Sequence, residues 1–384
     1  MHRPALSEDH LQARSWFRER VLQSGLEFHQ DSAGNHSACL ACGPEGAATL
    51  LLGSHLDSVP QGGRFDGALG VLAALEVLRR VREVDLTLPF NLEAIDFTDE
   101  EGSLVGLLGS RALAGRLQFE ELQNPRGGRE NLQAGLERAS LTENGLLSAH
   151  RVEGSLAGYL ELHIEQGPRL VDSGVDIGVV TTIAGICSYR LVFIGRADHA
   201  GTTPMDTRLD ASLGAAAFTL AARRIVKESF LACVANVGEM SFEPGAFNIV
   251  PARASLALEF RSPEKEAFDR LEIALMAGAQ KEAKRYRLGL EIESLGRHQP
   301  TPMSAQTGEA IVAAADELGL KHIPLASGAG HDAQSLAEVC PAGMIFVPSR
   351  GGASHSAREF SEWQDCVNGA NVLFNAALKL AEMI

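Results

Sequence analysis

Histidine and acidic side chains gather in glycine-rich segments that follow predicted strands. The segment GSHLDSVPQGGRFDGALG, residues 53–70, places His55, Asp57 and Asp66 directly after the apolar run ATLLL. Similar segments recur along the chain: TDEEG (98–102), ELHIEQG (161–167), RADHAG (196–201), AGHDAQ (329–334) and ASHSARE (353–359). Imidazole and carboxylate groups are common ligands of divalent metals. Each histidine alone is typical of a loop or surface residue, but the whole set predicts a metal centre with enough ligands for two ions that share one carboxylate.

Two adjacent acids in TDEEG, Glu100 and Glu101, extend this prediction to catalysis. Successive side chains on an extended backbone point in opposite directions. One acid can therefore bind a metal while its neighbour faces the substrate as a base. The alternative, for these two residues taken alone, is a solvated acidic turn.

The sequence lacks other familiar catalytic patterns. Ser54 precedes His55, but no G-x-S-x-G turn surrounds it, and neither a phosphate-binding loop nor a dinucleotide fingerprint occurs. Cys39 and Cys42 form the one C-x-x-C pair among six cysteines. A redox role for this pair stays open, but the pattern favours ordinary thiols over a zinc knuckle or a disulfide framework.

Composition restricts the class of partner. The chain has 384 residues, of which 45% are hydrophobic, and a formal net charge of −15. This charge argues against nucleic acid or an anionic membrane as partner, because both require a basic surface, and it favours a small-molecule substrate. No apolar run approaches the roughly 20 residues of a membrane helix, and the N-terminus lacks the apolar core of a secretory signal. We therefore expect a cytoplasmic protein.

The elements that must position the polar residues alternate between strand and helix. Apolar spacing predicts a helix over residues 9–26, a buried strand over 49–54, a helix over 68–81, and strands over 89–101 and 158–168. This order is typical of an α/β domain with a mixed, largely parallel sheet. Ligands of such sheets gather beyond the carboxyl ends of the strands, where the candidate metal ligands lie.

The pattern changes in the second half of the chain. From Ser188 to about Leu295 it reads strand, helix, two strands, helix and strand, which predicts a ferredoxin-like α+β unit. A helix, a buried strand and a helix then complete the chain. We predict a catalytic domain in two parts, residues 1–184 and 299–384, with a smaller domain inserted over 185–298.

These motifs, in this order, resemble those of a known family. DSAGN, GSHLDSVPQGGRFDGALG, FTDEEGS, LGSRALAG, ELHIEQGP, GRADHAGTTPM, FNIVP, SGAGHDAQ and MIFVPSRGGASHS extend from near the N-terminus to near the C-terminus. The chain closely resembles the dinuclear metallohydrolases related to zinc aminopeptidases and aminoacylases. Within them it is similar to the hydantoinase/carbamoylase branch, because ELHIEQG has a histidine where the aminopeptidases usually have a carboxylate.

The resemblance implies a set of metal ligands. His55, Asp66 and His163 would hold one divalent ion, and Asp66, Glu101 and His355 the other, with Asp66 as the bridge. Zinc or manganese is the expected metal, and cobalt or nickel would also suit these ligands. Glycines 62, 63 and 67 would let the backbone wrap closely around the pair.

The resemblance also implies the remaining catalytic roles. Glu100 would be the general base, and Asp57 would orient His55 and fix its tautomer. His199 would stabilise the oxyanion. The residues expected to contact the substrate are Gln166, His199, Asn248 and Arg261, of which Asn248 and Arg261 would grip its carboxylate. In this family the inserted domain acts as a lid and dimerises, so we expect a homodimer.

The expected reaction is hydrolysis of the ureido group of an N-carbamoyl-L-amino acid, which releases the amino acid, ammonia and carbon dioxide. Divalent ions would activate a water molecule and Glu100 would take its proton. Allantoate amidohydrolase is the main alternative, followed by β-ureidopropionase and by an aminoacylase or dipeptidase. A degenerate metal-binding scaffold is the alternative outside the enzymes. The chain departs from the family in an N-terminus that begins about one helix late and in a segment after Glu101 that is shorter than usual.

Overall fold

The fold is described from a computed structural model, over residues 1–383. The strands are β1 (Glu27–Gln30), β2 (His36–Leu40), β3 (Thr49–His55), β4 (Asn91–Phe97), β5 (Leu156–Ile164), β6 (Ile177–Ile183), β7 (Gly185–Ile194), β8 (Val234–Glu243), β9 (Arg253–Ser262), β10 (Gly289–His298), β11 (Thr301–Pro302), β12 (His322–Ser327) and β13 (Ala342–Val347). The helices are α1 (Glu8–Gln23), α2 (Ala68–Glu83), α3 (Leu108–Leu113), α4 (Phe119–Gln123), α5 (Arg129–Arg138), α6 (Glu143–Ser148), α7 (Arg169–Ser173), α8 (Ala211–Ser229), α9 (Lys265–Arg285), α10 (Ala305–Glu317), α11 (Asp332–Leu336) and α12 (Trp363–Glu382).

The chain divides into two compact units. The first consists of Met1–Thr181 together with the segment from Pro302 onward, and the second is Thr182–Thr301. Among residues 1–383, no helix combines the length and apolar character that crossing a membrane would require.

A nine-stranded mixed sheet forms the centre of the first unit, in the order β1-β2-β4-β3-β5-β13-β6-β11, with β12 paired to β6. Its four central strands, β4, β3, β5 and β13, are parallel, and β2 and β6 flank them in antiparallel pairs. Strand β4 is buried along nearly its whole length, as expected of a strand covered on both faces. The predicted α/β class with a mixed sheet is confirmed.

Helix α2 illustrates how the sequence places the core of this unit. Val71, Leu75, Leu78 and Val81 recur at spacings of three and four residues and are all buried. Such spacing puts them on one face of the helix. They belong to a core cluster that also includes residues of β3, β4, β5, β13 and α12. The helix begins directly after Gly67 and so starts at the loop that carries Asp66.

The second unit has a four-stranded antiparallel sheet in the order β10-β7-β9-β8, with helices α8 and α9. This is the strand order of a ferredoxin-like sandwich. Alternate residues of β7 and β9 are buried, which is typical of a sheet with one face on a core. The core of this unit is a separate cluster that includes Leu191, Phe193, Phe218, Leu256 and Phe268.

Two parts of the fold differ from the sequence predictions. The strand predicted over 89–101 ends at Phe97, because Asp99 has a positive φ of 57° and turns the chain. The carboxylate of Asp99 accepts hydrogen bonds from the backbone N–H groups of Leu104, Val105 and Gly106 at 2.6–2.9 Å. The acidic turn is therefore a closed loop. Helices α3 to α6, which the apolar spacing does not predict, pack around their own apolar cluster.

Candidate active site

The predicted metal ligands come from the carboxyl ends of four neighbouring parallel strands. His55 is the last residue of β3, and His163 is the last but one of β5. Glu100 and Glu101 follow β4, and His355 lies in the loop after β13. Because these strands are adjacent in the sheet, their loops meet at one edge.

Asp66 lies at the centre of this cluster. Its Oδ1 atom is 3.1 Å from His163 Nε2 and 3.7 Å from His55 Nε2, while its Oδ2 atom is 3.5 Å from His355 Nε2. His355 Nε2 is in turn 3.3 Å from Glu101 Oε2. The residues form two groups, His55–Asp66–His163 and Asp66–Glu101–His355, and within each group the candidate ligand atoms lie within 4.8 Å of one another. Asp66 is common to both groups, so its two oxygens face two different ligand pairs.

The hydrogen bonds of the buried histidines suit metal binding. Nδ1 of His55 lies 3.1 Å from the carbonyl oxygen of Asp57, and Nδ1 of His163 lies 2.9 Å from that of Ile164. A carbonyl oxygen only accepts, so Nδ1 carries the proton in both rings and Nε2 faces Asp66. Burial lowers the pKa of His55 to about 4, which keeps this ring neutral and its Nε2 lone pair available. The donor set and its tautomers therefore fit divalent metal ions.

The loop around Asp66 approaches the histidines so closely that one position requires glycine. Gly67 has a positive φ of 65°, and a Cβ atom there would lie 2.5 Å from Nε2 of His55. A larger residue would be strained in its backbone and would overlap the ring that faces Asp66.

Asp57 acts on this site differently from the prediction. Its carboxylate Oδ1 lies 3.7 Å from Nδ1 of His55, and the closer contact to that ring is its own carbonyl oxygen. The carboxylate instead accepts hydrogen bonds from the backbone N–H groups of Glu100 at 3.3 Å and Glu101 at 3.2 Å. The expected orientation of His55 is thus made by the main chain of Asp57, and the side chain of Asp57 holds the acidic pair.

The adjacent acids point to different parts of the cluster. Glu100 Oε2 lies 3.5 Å from Nε2 of His55, whereas Glu101 Oε2 faces His355. The Oε1 atom of Glu101 accepts a hydrogen bond from the backbone N–H of Val59 at 3.3 Å. The two side chains diverge although neither residue lies in a strand, since β4 ends at Phe97 and the chain turns at Asp99.

Burial and crowding of negative charge shift the pKa values of these acids. Burial, followed by the charges of Asp332 and Glu101, raises the pKa of Glu100 well above its ordinary value. Burial and the charge of Asp66 raise the pKa of Glu101 to about 8. Against its burial, the contact with Asp66 raises the pKa of His163 to about 9, so in the metal-free protein its Nε2 carries a proton as well. Burial also opposes ionisation of Asp66, but the hydrogen bond and charge of this protonated ring hold the pKa of Asp66 below its ordinary value. Such a concentration of buried carboxylates favours a cation among them.

Gln166 contacts the bridging carboxylate itself. Its Nε2 atom donates a hydrogen bond to Asp66 Oδ2 at 2.9 Å, and its Oε1 atom is buried without a hydrogen-bond partner. A buried, unpaired carbonyl oxygen is costly and suits a site that receives a polar ligand. Gln166 also borders a cavity of about 480 Å³, lined by Glu165, Gly167, Pro168, Arg169, Leu325, Ala326, Gly328, Ala329, Gly352, Ser354 and His355.

The other predicted substrate contacts, His199, Asn248 and Arg261, belong to the second unit. There His199 is exposed, and its segment pairs with the one that carries Asn248, since Ala200 N–H donates to the Asn248 carbonyl at 2.9 Å. Arg261 lies on β9, where its Nε and Nη2 atoms donate to Oε1 of Glu259 at 2.9 and 2.7 Å.

Two side chains around Asp66 had no role in the sequence-based prediction. Glu359, which is buried, accepts hydrogen bonds from the backbone N–H groups of Phe65 and Asp66, and Ser354 donates to Asp66 Oδ2 at 2.7 Å. The signal that could have indicated them is the segment ASHSARE, in which a hydroxyl and an acid flank the ligand His355.

Comparison with known proteins identifies the protein family. Residues 51–379 match the peptidase family M20/M25/M40, and the chain belongs to this family of metal-dependent hydrolases. The predictions that the chain is an enzyme and a hydrolase are confirmed.

Individual relatives indicate the branch of this family to which the chain belongs. The chain is 36% identical over 382 residues to an N-carbamoyl-L-amino acid amidohydrolase of Geobacillus stearothermophilus, covering 99% of this chain and 93% of that one. It is 31% identical to an allantoate amidohydrolase of Bacillus subtilis, covering 98% and 91% of the two chains. The crystal structure of a hydantoinase/carbamoylase family amidase from Burkholderia multivorans superposes with a TM-score of 0.90 at 32% identity, covering 99% of this chain and 92% of that one. The chain is thus a member of the hydantoinase/carbamoylase branch, as the motifs predicted.

Proposed function

We propose that the chain is a dinuclear metal-dependent amidohydrolase that cleaves the ureido group of N-carbamoyl-L-amino acids. The observation that carries this proposal is the position of Asp66, whose two oxygens face two separate ligand pairs. A carboxylate shared in this way suits two ions held close together, which is the arrangement of many hydrolytic centres.

The proposal assigns the ions to the two groups of residues described above. His55 and His163 would bind one ion, Glu101 and His355 the other, and Asp66 both. When bound, divalent ions would supply a water molecule of lowered pKa and would polarise the ureido carbonyl group. Zinc or manganese is the expected metal, because mixed imidazole and carboxylate ligands accept both.

Glu100 is proposed as the general base and then the general acid. Its side chain is almost fully buried, and burial and neighbouring carboxylates raise its pKa, so it holds a proton more readily than an ordinary glutamate does. It would take a proton from the attacking water and return it to the leaving nitrogen. Water adds to the ureido carbon, the bond to the amino-acid nitrogen breaks, and the released carbamate decomposes to ammonia and carbon dioxide.

The substrate roles of Gln166, His199, Asn248 and Arg261 rest on the family resemblance. Gln166 has additional support from its unpaired buried Oε1 atom. Arg261 has a planar guanidinium group, which can donate two parallel hydrogen bonds to a carboxylate. His199 would stabilise the negative charge that develops on the ureido oxygen. A hydrogen-bond donor in this role commonly stabilises the transition state by about 3 kcal/mol.

The alternative substrate is allantoate, since one relative is named for it. Both substrates carry a ureido group and a carboxylate, so the same residues would serve. We favour N-carbamoyl-L-amino acids because a relative with that name has the higher identity, 36% against 31%.

We further propose that the enzyme is a homodimer joined through the second unit. Strand β8 is an edge of that unit's sheet and exposes Val234 and Phe242. Leu213 and Leu220 are exposed on α8, which packs against β8. An open edge beside exposed leucines is suited to pairing with a second copy. Light scattering tests this: the expected result is a dimer that Leu220→Glu dissociates, with Ile273→Glu, equally exposed on α9, as the control that leaves it intact.

A substrate screen tests the proposed reaction. Ammonia release by the metal-reconstituted protein is measured with N-carbamoyl-L-amino acids, β-ureidopropionate, allantoate and N-acyl amino acids. The expected result is fastest turnover of an N-carbamoyl-L-amino acid. Cleavage of N-acyl amino acids alone, detected as free amino acid without ammonia from any ureido compound, would disprove the proposal.

A further inference from the structure

The carboxylate of Glu359 holds the main chain at the bridging aspartate. Its Oε1 atom accepts hydrogen bonds from the backbone N–H of Phe65 at 2.8 Å and from that of Asp66 at 3.1 Å. Glu359 is only 3% exposed, so these bonds form away from solvent. Its loop follows β13, far along the chain from the loop that it holds.

Ser354 connects the same glutamate to the side chain of Asp66. Its hydroxyl oxygen is 2.7 Å from Asp66 Oδ2 and 3.2 Å from Glu359 Oε2. A hydroxyl group has a single proton, and the shorter distance indicates that Asp66 receives it. Glu359 therefore fixes Asp66 at the backbone, and Ser354, in contact with Glu359, fixes the oxygen that faces His355.

Gly63 provides a second observation that the position of Glu359 is built into the loop. A Cβ atom at Gly63 would lie 1.9 Å from both the carboxyl carbon and the Oε1 atom of Glu359. The carboxylate thus occupies the space that any other side chain at this position would need. The φ angle of Gly63 is not in the left-handed region, so glycine is required here for lack of space and not for its backbone conformation.

We propose that Glu359 is a positioning residue that sets the orientation of Asp66 so that its two oxygens can serve both metal sites at once. Without Glu359, two backbone N–H groups would lose their acceptor and the loop carrying Asp66 would be free to rotate. Because Asp66 is shared, both ions would be held less tightly. If Glu359 only stabilised the fold, substituting it would not change the affinity of the folded protein for either ion.

Metal affinity of folded variants, measured by competition with a chelator in the absence of substrate, tests this. Glu359→Ala is expected to lower the affinity for both ions by about 10–100-fold, as is common when a partner of a metal ligand is removed. Glu359→Gln keeps an oxygen for the two N–H groups and is expected to stay within a few-fold of the wild type. Glu362→Ala, which removes an exposed acid near the same loop, is the matched control.

A double-mutant cycle with Gly63 makes the test independent of a single variant. Gly63→Ala is expected to displace the carboxylate of Glu359 and to lower the affinity for both ions, as Glu359→Ala does. In the Glu359→Ala background the space is free, so adding Gly63→Ala is expected to have little further effect. Unchanged metal affinity in folded Glu359→Ala, loss of affinity in Glu359→Gln equal to that in Glu359→Ala, or fully additive effects of the pair would overturn the proposal.

This inference rests on the metal ligands assigned under the proposed function, and the two can fail separately. If the wild-type protein binds no metal, the proposed function fails. If the wild type binds two ions and Glu359→Ala binds them equally well, the positioning role alone fails.

Discussion

The Oε2 atom of Glu100 lies 3.5 Å from Nε2 of His55, and both side chains are almost completely buried. The ring is neutral, because burial lowers the pKa of His55 to about 4. Glu100 therefore faces the candidate metal site without a cationic partner. A carboxylate in this position can exchange protons with a water molecule between itself and the site.

Substitution of Glu100 by glutamine should reduce turnover by orders of magnitude without unfolding the protein. The amide has nearly the same shape but cannot take a proton, so we expect kcat to fall by about 10²–10⁴-fold. Removing a carboxyl group crowded by Asp332 and Glu101 should leave the melting temperature of the metal-free protein unchanged or higher. Steady-state kinetics, metal content and thermal melts check this; near-normal turnover would remove Glu100 from the role of base.

Substitutions of ligands should differ in how many ions they remove. Asp66→Ala should lose both ions, since it deletes the ligand common to the two groups. His355→Ala should lose only one, because His55, Asp66 and His163 stay intact. Elemental analysis after dialysis distinguishes these cases, and retention of one tightly bound ion by Asp66→Ala would contradict the bridging role.

The main features of the site could be predicted from sequence because they are local. His55 and His163 lie at the ends of strands with clear apolar runs, and Glu101 follows another such strand. Parallel strands bring these ends together. Glu359 could not be predicted from local pattern, because it binds a backbone group 293 positions away. The same holds for Asp57, whose carboxylate turns to the backbone of the acidic pair rather than to the adjacent ligand.

The fold shows the same division between local and non-local information. The long helices and buried strands have clear periodicity and were predictable within a few residues. Helices α3, α4 and α6 have only five or six residues, which is too short for a helical period to emerge. Asp99 ends its strand early through three hydrogen bonds to later backbone groups, a contact that alternation along the strand does not predict.

A buried ion pair beneath the site should matter for stability. Arg14 Nε lies 2.7 Å from Asp96 Oδ2, and Asp96 Oδ1 accepts the backbone N–H of Leu56, which adjoins His55. Arg14→Ala leaves a buried carboxylate unpaired, so we expect a loss of about 3–5 kcal/mol. Urea unfolding of the metal-free protein measures this.

The matched control for that prediction is Arg79→Ala. Arg79 pairs with Glu76 on the exposed face of α2, where ion pairs contribute at most about 1 kcal/mol. Equal losses for Arg14→Ala and Arg79→Ala would show that the buried pair has no special role.

The two cysteines of the C-x-x-C pair should react slowly with alkylating reagents. Burial and the charge of Glu93 raise the pKa of the Cys39 thiol to about 12, and burial also raises that of Cys42. Only the thiolate reacts, so alkylation by iodoacetamide at pH 8 should be at least about tenfold slower than for free cysteine. Mass spectrometry of native and urea-denatured protein measures this; rapid modification of native Cys39 would instead support a redox role.

Two ions that share Asp66 would form one hydrolytic centre. The most direct test is to titrate the metal-free protein with zinc or manganese while measuring ammonia release from an N-carbamoyl-L-amino acid. Activity is predicted to rise to a plateau at two ions per chain. A plateau at one ion per chain, or no ammonia at any metal concentration, would contradict a hydrolytic centre of two ions.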